Sequence, residues 1–136
     1  MTDVSLRSNQ CMSLDCCWLL VRHGETDWNI QNRFQGRENT QLNENGRAQM
    51  FAAGASLKQD VDSDRSVVVH TSSLARARES AEIIARGTRW QVRTSELFDE
   101  MDLGAWEGEP YDIVNDSPDW LELAPHGGET EKMFQR

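Results

Sequence analysis

The chain has 136 residues, 38% of them hydrophobic, and a formal net charge of −9 at pH 7. This length is sufficient for one globular domain with a core of its own. The negative charge disfavours nucleic acid as a partner, because an acidic surface repels a polyanion. No apolar run approaches the roughly 20 residues that span a bilayer, so no membrane segment is expected.

The cysteines Cys11, Cys16 and Cys17 lie close together near one end of the chain. Their odd number and clustering do not indicate a disulfide framework, and the first residues lack the pattern of a secretory signal. We therefore expect a cytoplasmic protein. The sequence has neither a CxxC nor an HExxH spacing, so no metal site is expected.

The first part of the chain predicts a tail, a strand and a helix. Residues 1–16 are polar and without periodicity, which is typical of a disordered tail. Residues 17–22, CWLLVR, form an apolar run of strand length. After a loop, apolar and small residues recur at helical spacing over about 44–57, with Asn43 as the expected helix cap.

The following elements predict a parallel sheet. Residues 67–69 are three valines, which is typical of a strand buried on both faces. Ser72 or Ser73 is expected to cap a second helix, and residues 91–95 form a third strand. This alternation of strands and helices predicts an α/β fold of three layers, α/β/α, in which helices cover a mostly parallel central sheet.

Basic residues cluster at the expected carboxyl ends of the first two strands. Arg22 and His23 end the first strand, and Arg76 lies in the first turn of the helix after the second. Functional groups gather at this edge of a parallel sheet. A helix N-terminus with two arginines suits a phosphate, because the guanidinium fork matches its oxygens. The sequence therefore predicts a site for a phosphorylated ligand.

Five segments of the chain resemble the motifs of one protein family, and they occur in the same order as those motifs. They are LVRHGETDWN, NRFQGRENTQLNENGRAQ, HTSSLARARESAEII, LFDEMDLGAWEGEP and PHGGET, between residue 18 and about residue 134. Together they resemble the histidine phosphatase superfamily, which is also called phosphoglycerate mutase-like and is marked by the RHG signature. The resemblance implies that residues 17–136 belong to one phosphoglycerate mutase-like domain.

The resemblance also implies roles for individual residues. His23 matches the nucleophile that becomes a phosphohistidine, and neutral imidazole is available for this near pH 7. Arg22 and Arg76 match the arginines that hold the phosphate, and Asn29 matches a phosphate-contacting asparagine. Glu100, four residues before the glycine of DLGAWEG, matches the general acid.

The loop that lines the family's pocket corresponds to Gln35 and Gly36, and Thr26 of the RHGET segment is placed in the substrate pocket with them. No metal or cofactor is implied, because the arginines supply the positive charge. Arg33 and Arg37 lie close by in the sequence, and either could reach an anionic substrate or be solvated loop residues.

His126 belongs to an HGG sequence, as does the second catalytic histidine of the family. The segment before it, LELAP, is not a β-branched strand, and PHGGET is similar to the family's substrate-loop motif. We therefore assign His126 to that loop. The second catalytic histidine is then expected beyond Arg136, which makes 17–136 an incomplete domain without its C-terminal part.

The resemblance leaves three functions to separate. Residues 109–130 contain no Lys or Arg, whereas a mutase needs extra cations to hold the carboxylate of phosphoglycerate. A phosphomonoester hydrolase of the α-ribazole phosphatase or broad-specificity type is therefore favoured. The alternatives are a phosphoglycerate mutase and an inactive domain that binds phosphorylated ligands or a partner. The expected ligand is a small phosphorylated metabolite, and the sequence is compatible with a homodimer.

Overall fold

The structure is a computed structural model that describes residues 17–61, 66–114 and 125–135. The tail predicted at 1–16 lies outside the described residues. The elements in chain order are helices α1 (Asp27–Ile30) and α2 (Glu44–Asp60), strand β1 (Val68–Thr71), helix α3 (Ala75–Ala85), strand β2 (Gln91–Thr94) and helix α4 (Glu131–Phe134). Three short 3₁₀ turns occupy Glu96–Phe98, Gly104–Trp106 and Tyr111–Val114.

The sheet is parallel, as predicted. β1 pairs with β2 from Val68 opposite Gln91 to Thr71 opposite Thr94, and α3 forms the crossover between the strands and packs against both. α2 packs on α3. An α/β fold with a parallel sheet is therefore confirmed, and the described residues supply its β1–α3–β2 unit and the helix that covers α3.

The first predicted strand is not formed. Residues 17–22 contain no strand, and Trp18 and Leu20 are 76% and 98% exposed. A strand needs a neighbour to accept and donate its backbone hydrogen bonds, and no described segment pairs with these residues. An apolar run of strand length therefore does not form a strand without a partner to pair with. The expectation that the valine strand is buried on both faces is also wrong, since Val68 and His70 are exposed.

The caps of the two long helices differ in origin. Asn43 caps α2 as predicted, and its side-chain oxygen accepts a hydrogen bond from the Gly46 N–H at 2.8 Å. The prediction for α3 is wrong, because this helix begins after Leu74, which makes no side-chain cap. Its first amide, of Ala75, donates instead to Oδ1 of Asn39 at 2.8 Å, across 36 residues of sequence.

The two serines predicted as caps have other partners. Oγ of Ser72 accepts from the N–H of Leu74 at 3.2 Å, and the hydroxyl of Ser73 donates to the Asp99 carboxylate at 2.6 Å. Asp99 also accepts from the backbone N–H of Ser73 at 2.7 Å. The segment before α3 is therefore tied to the loop that follows β2.

Two apolar clusters support the fold. The first joins α2, α3 and the preceding loop through Leu42, Met50, Ile83 and Ile84. The second lies under the loops around residues 100–114 and contains Phe34, Met101 and Leu103. Among the residues that the structure describes, no helix is long and apolar enough to cross a membrane.

Candidate active site

His23 is half-buried at the mouth of a cavity. Its Nδ1 lies 2.7 Å from the Gly24 carbonyl oxygen. Because a carbonyl only accepts hydrogen bonds, Nδ1 of the neutral ring carries the proton and the lone pair resides on Nε2. Burial lowers the pKa of His23 below its ordinary value, and the positive charges of Arg76 and Arg22 lower it further, against the opposing effects of the Gly24 hydrogen bond and Glu100. The ring is therefore a neutral base, and its Nε2 has no hydrogen-bond partner among the described residues.

Arg76 is 3% exposed and lies in the first turn of α3. Its guanidinium donates to the carbonyl oxygens of Gly36 at 2.7 Å and Glu38 at 2.9 Å. Burial lowers the pKa of Arg76, and the carboxylates of Glu100 and other acids oppose that change. An arginine stays charged throughout the physiological range, so Arg76 both shapes the loop around residues 36–40 and places a buried positive charge at the cavity.

Six of the predicted residues line one open cavity of about 760 Å³, namely Arg22, His23, Gln35, Gly36, Arg76 and Glu100. Arg22 is exposed at its edge. The cavity also has an apolar wall, formed by Phe34, Met101, Leu103, Tyr111, Val114 and Phe134. The sequence analysis did not identify this wall, because its members come from loops, 3₁₀ turns and the short helix α4, which carry no common periodicity.

Glu100 lines the same cavity as the basic residues and lies on the loop between the first two 3₁₀ turns. Its side chain is exposed, and Oε1 accepts from the N–H of Met101 at 2.9 Å. Nε of Arg37 donates to the Glu100 carbonyl oxygen at 2.9 Å, and Nη2 of Arg37 lies 3.2 Å from Oε2 of Glu129. Arg37 therefore supports the loop of residues 99–103, which we call the acid loop.

Arg33 is also used by a loop, since its Nη1 donates to the Gly108 carbonyl at 2.6 Å. Neither Arg33 nor Arg37 lines the cavity that contains Arg22, His23 and Arg76. The structure thus gives both arginines a role that neither alternative described, since each binds a backbone carbonyl of a distant loop. These roles depend on contacts between residues about 60 to 75 positions apart. The local sequence around each arginine does not reveal such contacts.

Gln35 and Gly36 also line the cavity. Oε1 of Gln35 accepts from the hydroxyls of Thr26 at 2.9 Å and Thr40 at 2.6 Å, which leaves its amide nitrogen as the donor for a ligand. Gly36 has φ +47°, a left-handed conformation that favours glycine, and an added Cβ would also require the Glu107 carboxylate to move.

Thr26 and Asn29 lie behind the cavity wall. Thr26 is 0% exposed, so it acts on the cavity through Gln35 and not by direct contact. Asn29 is not among the lining residues, and its Oδ1 accepts from the Thr26 N–H at 3.0 Å in the capping box of α1. The phosphate contact of Asn29 stays a prediction, with its amide nitrogen as the group that remains for it.

His126 is exposed and does not line the cavity. Its carbonyl oxygen accepts from the N–H of Ala105 at 3.0 Å. Nearby, Asp102 and Glu129 exchange two bonds: the Glu129 N–H donates to the Asp102 carbonyl at 2.7 Å, and the Asp102 N–H donates to the Glu129 carboxylate at 2.9 Å. The PHGGET segment therefore braces the acid loop, in keeping with the assignment of His126 to a loop. No group of three or more His, Cys, Asp or Glu residues within the described ranges is placed to hold a metal.

The structure thus combines a parallel α/β unit with a cavity lined by a histidine, two arginines and a glutamate. Residues 18–135 match the model of the histidine phosphatase superfamily, branch 1. The chain belongs to this superfamily.

Individual relatives agree with this. The chain is 34% identical over 120 residues to the glucosyl-3-phosphoglycerate phosphatase of Mycobacterium tuberculosis. This match covers 82% of the chain and 52% of the relative. A Cronobacter sakazakii protein named "Probable phosphoglycerate mutase GpmB" is 33% identical over 131 residues, covering 86% of this chain and 57% of that protein. The structure of the mycobacterial glucosyl-3-phosphoglycerate phosphatase in complex with VO3 has a TM-score of 0.67 at 35% identity, over 79% of this chain and 56% of that one. The chain thus spans about half the length of the relatives it matches.

Proposed function

We propose that the chain carries the nucleophile and acid of a phosphomonoester hydrolase that works through a phosphohistidine at His23. The observation that supports this best is the arrangement of His23. Its Nδ1 is held by a carbonyl, its Nε2 is free, and Arg22, Arg76 and Glu100 line the same cavity. A neutral, oriented nucleophile beside fixed positive charge is what phosphoryl transfer requires.

In the first step, Nε2 of His23 attacks phosphorus and the bond to the ester oxygen breaks. Glu100, in its protonated form, gives its proton to the leaving oxygen, so that a neutral alcohol departs. Arg22 and Arg76 offset the charge on the phosphoryl oxygens during the transfer. The products are the alcohol, a phosphohistidine and the Glu100 carboxylate.

In the second step, the Glu100 carboxylate takes a proton from water. The water oxygen attacks phosphorus and breaks the bond to Nε2, which releases inorganic phosphate. His23 returns to its neutral form with the proton still on Nδ1, and Glu100 is protonated again. No metal enters either step in this proposal.

The lining of the cavity supports hydrolysis of a small phosphorylated metabolite over a mutase reaction. The cations that line the cavity in the described structure are Arg22 and Arg76, and the proposed mechanism uses both for the phosphoryl group. The rest of the lining is largely apolar and includes the acid Glu131. A phosphoglycerate carboxylate would find no further cation in this lining, whereas a neutral or apolar alcohol would not need one.

The mutase remains the second candidate, because several relatives carry that name. The third candidate is a domain that binds phosphorylated ligands without turnover. Product analysis separates the three: a phosphatase releases inorganic phosphate, a mutase moves phosphate between phosphoglycerate positions faster than it releases it, and a binding domain does neither.

The test is hydrolysis of p-nitrophenyl phosphate, with vanadate as the inhibitor. It compares the 136-residue chain with a chimaera that continues residues 1–135 into the C-terminal part of the mycobacterial relative. We expect the chimaera to be faster by about 10²-fold or more, the scale for adding one transition-state donor. His23→Ala should abolish activity in both proteins. His126→Ala is the matched control and should leave it within about threefold, because losing an exposed imidazole outside the cavity removes no transition-state contact. Equal activity of the two proteins, lost on His126→Ala, would make His126 the second catalytic histidine.

A further inference from the structure

We propose that Gln49 and Ser80 are positioning residues that hold the Gly24 backbone and, through it, the Nδ1-protonated tautomer of His23. Neither side chain lines the cavity. They reach Gly24 from different helices, α2 and α3. The inference rests on the proposed role of His23 as nucleophile, but it concerns the state of the ring before any reaction.

Gln49 acts on the peptide unit that joins Gly24 and Glu25. Its Oε1 accepts from the Glu25 N–H at 3.0 Å. The carbonyl of the same planar unit accepts from Nδ1 of His23 at 2.7 Å. Because N–H and C=O of a trans peptide point in opposite directions, an acceptor that fixes the N–H also aims the carbonyl at the imidazole. Hydrogen bonds in such a chain polarise one another, so Gln49 also makes that carbonyl a better acceptor.

Ser80 acts on the other peptide unit of Gly24. Its Oγ accepts from the Gly24 N–H at 3.1 Å and donates to the Arg76 carbonyl at 2.6 Å. Ser80 is 4% exposed, so water does not compete for these bonds. The nucleophile loop is therefore attached to the same helical turn that carries the Arg76 guanidinium, and this sets the position of His23 relative to the phosphate-binding cation.

Gly24 needs this support because it is glycine. An added Cβ at Gly24 would lie 2.8 Å from the carbonyl carbon of Gly46, so the close packing of α2 against the loop excludes any side chain. Glycine permits that close approach, but it also leaves the backbone free to adopt more conformations. Hydrogen bonds on both of its peptide units remove the freedom that a side chain would otherwise restrict.

The experiment reads the tautomer directly by ¹⁵N NMR of the imidazole rings in the 136-residue chain, at a pH where His23 is neutral. The signals of His23 are assigned among the three histidines with a His23→Gln variant. A protonated and an unprotonated ring nitrogen have well-separated shifts, so the two nitrogens report the tautomer ratio. In the unsubstituted protein we expect Nδ1 protonated and Nε2 unprotonated.

Gln49→Leu removes the acceptor at similar volume and should move the ratio toward the Nε2-protonated form by about fivefold, the scale of one net hydrogen bond. Gln49→Glu keeps an acceptor oxygen and should restore the original ratio. Gln59→Leu, an exposed position on the same helix, is the matched control and should leave the shifts unchanged. Ser80→Ala should move the ratio in the same direction as Gln49→Leu, with Ser56→Ala on the exposed surface of α2 as its control.

Thermal unfolding shows which variants are folded, and the Gln49 pair decides the result if Ser80→Ala does not fold. An unchanged tautomer ratio in folded Gln49→Leu would overturn the proposal, as would an Nε2-protonated ring in the unsubstituted protein. If the chimaera shows no turnover while the 136-residue chain shows the expected tautomer ratios, the proposed function is refuted and this inference stands.

Discussion

The two sides of the cavity are built by different means. On the nucleophile side, His23 and Arg76 are held by buried or half-buried hydrogen bonds from long helices. On the acid side, Glu100 lies on a loop between 3₁₀ turns and is held through Arg37, which is itself exposed. The neutral nucleophile and the cation beside it are thus positioned by the long helices, whereas the group that moves a proton is positioned by loops.

The difference in solvent exposure has a physical consequence. Buried hydrogen bonds face no competition from water, and breaking one leaves an unsatisfied polar group. Exposed ion pairs such as Arg37–Glu129 are screened by salt and contribute little. We therefore expect substitutions on the nucleophile side to have large effects, and substitutions behind the acid loop to have small ones.

The largest of the three effects is expected for Arg76→Ala, measured as kcat in an active form of the protein. Loss of one transition-state donor should lower kcat by about 10² to 10³. Loss of its bonds to the Gly36 and Glu38 carbonyls should also loosen the loop that carries Gln35. Arg78→Ala, an exposed arginine on the same helix, is the control. A loss below threefold would mean that Arg76 does not face the phosphate.

The next effect is a pH dependence of stability that belongs to His23. Burial lowers the pKa of His23 in the folded protein, so the unfolded chain binds a proton more readily than the folded one. This contribution to the free energy of unfolding is complete above the ordinary pKa of about 6.5 and is lost as the pH falls toward the folded value. Urea unfolding at several pH values should show the chain losing stability relative to His23→Gln as the pH decreases through that range. A difference that stays constant with pH would contradict the lowered pKa.

The smallest effect is expected on the acid side. Arg37→Ala removes an exposed ion pair and a bond to the Glu100 carbonyl, which should destabilise the protein by only about 0–1 kcal/mol and slow turnover by less than about tenfold. High salt should reduce the difference from the unsubstituted protein. Arg89→Ala, an exposed arginine outside this network, provides the reference. A loss as large as that of Arg76→Ala would show that both sides are equally rigid.

The sequence predicted the features that local pattern controls. The helical spacing around Met50 and the cap at Asn43 are properties of neighbouring residues, and both were confirmed. The parallel pairing of β1 and β2 followed from the strand–helix–strand order. The family membership followed from ordered motifs and was confirmed.

The features that the sequence did not predict depend on distant partners. Residues 17–22 have the composition of a strand, but a strand also needs a paired neighbour. Ser72 and Ser73 are good cap residues, but Asn39 and Asp99 reach the same segment from other loops. Only the folded chain shows which of these competing bonds is made.

The measurement that tests the phosphohistidine most directly is a rapid-mixing experiment with a labelled phosphomonoester, stopped by an alkaline quench. The phosphoenzyme should carry acid-labile, base-stable label, and peptide mapping should place it on His23. The same experiment with His126→Ala should give the same labelled peptide, and with His23→Ala it should give none. Label that persists in His23→Ala, or that maps to a residue other than His23 in the unsubstituted protein, would contradict the role of His23 as nucleophile.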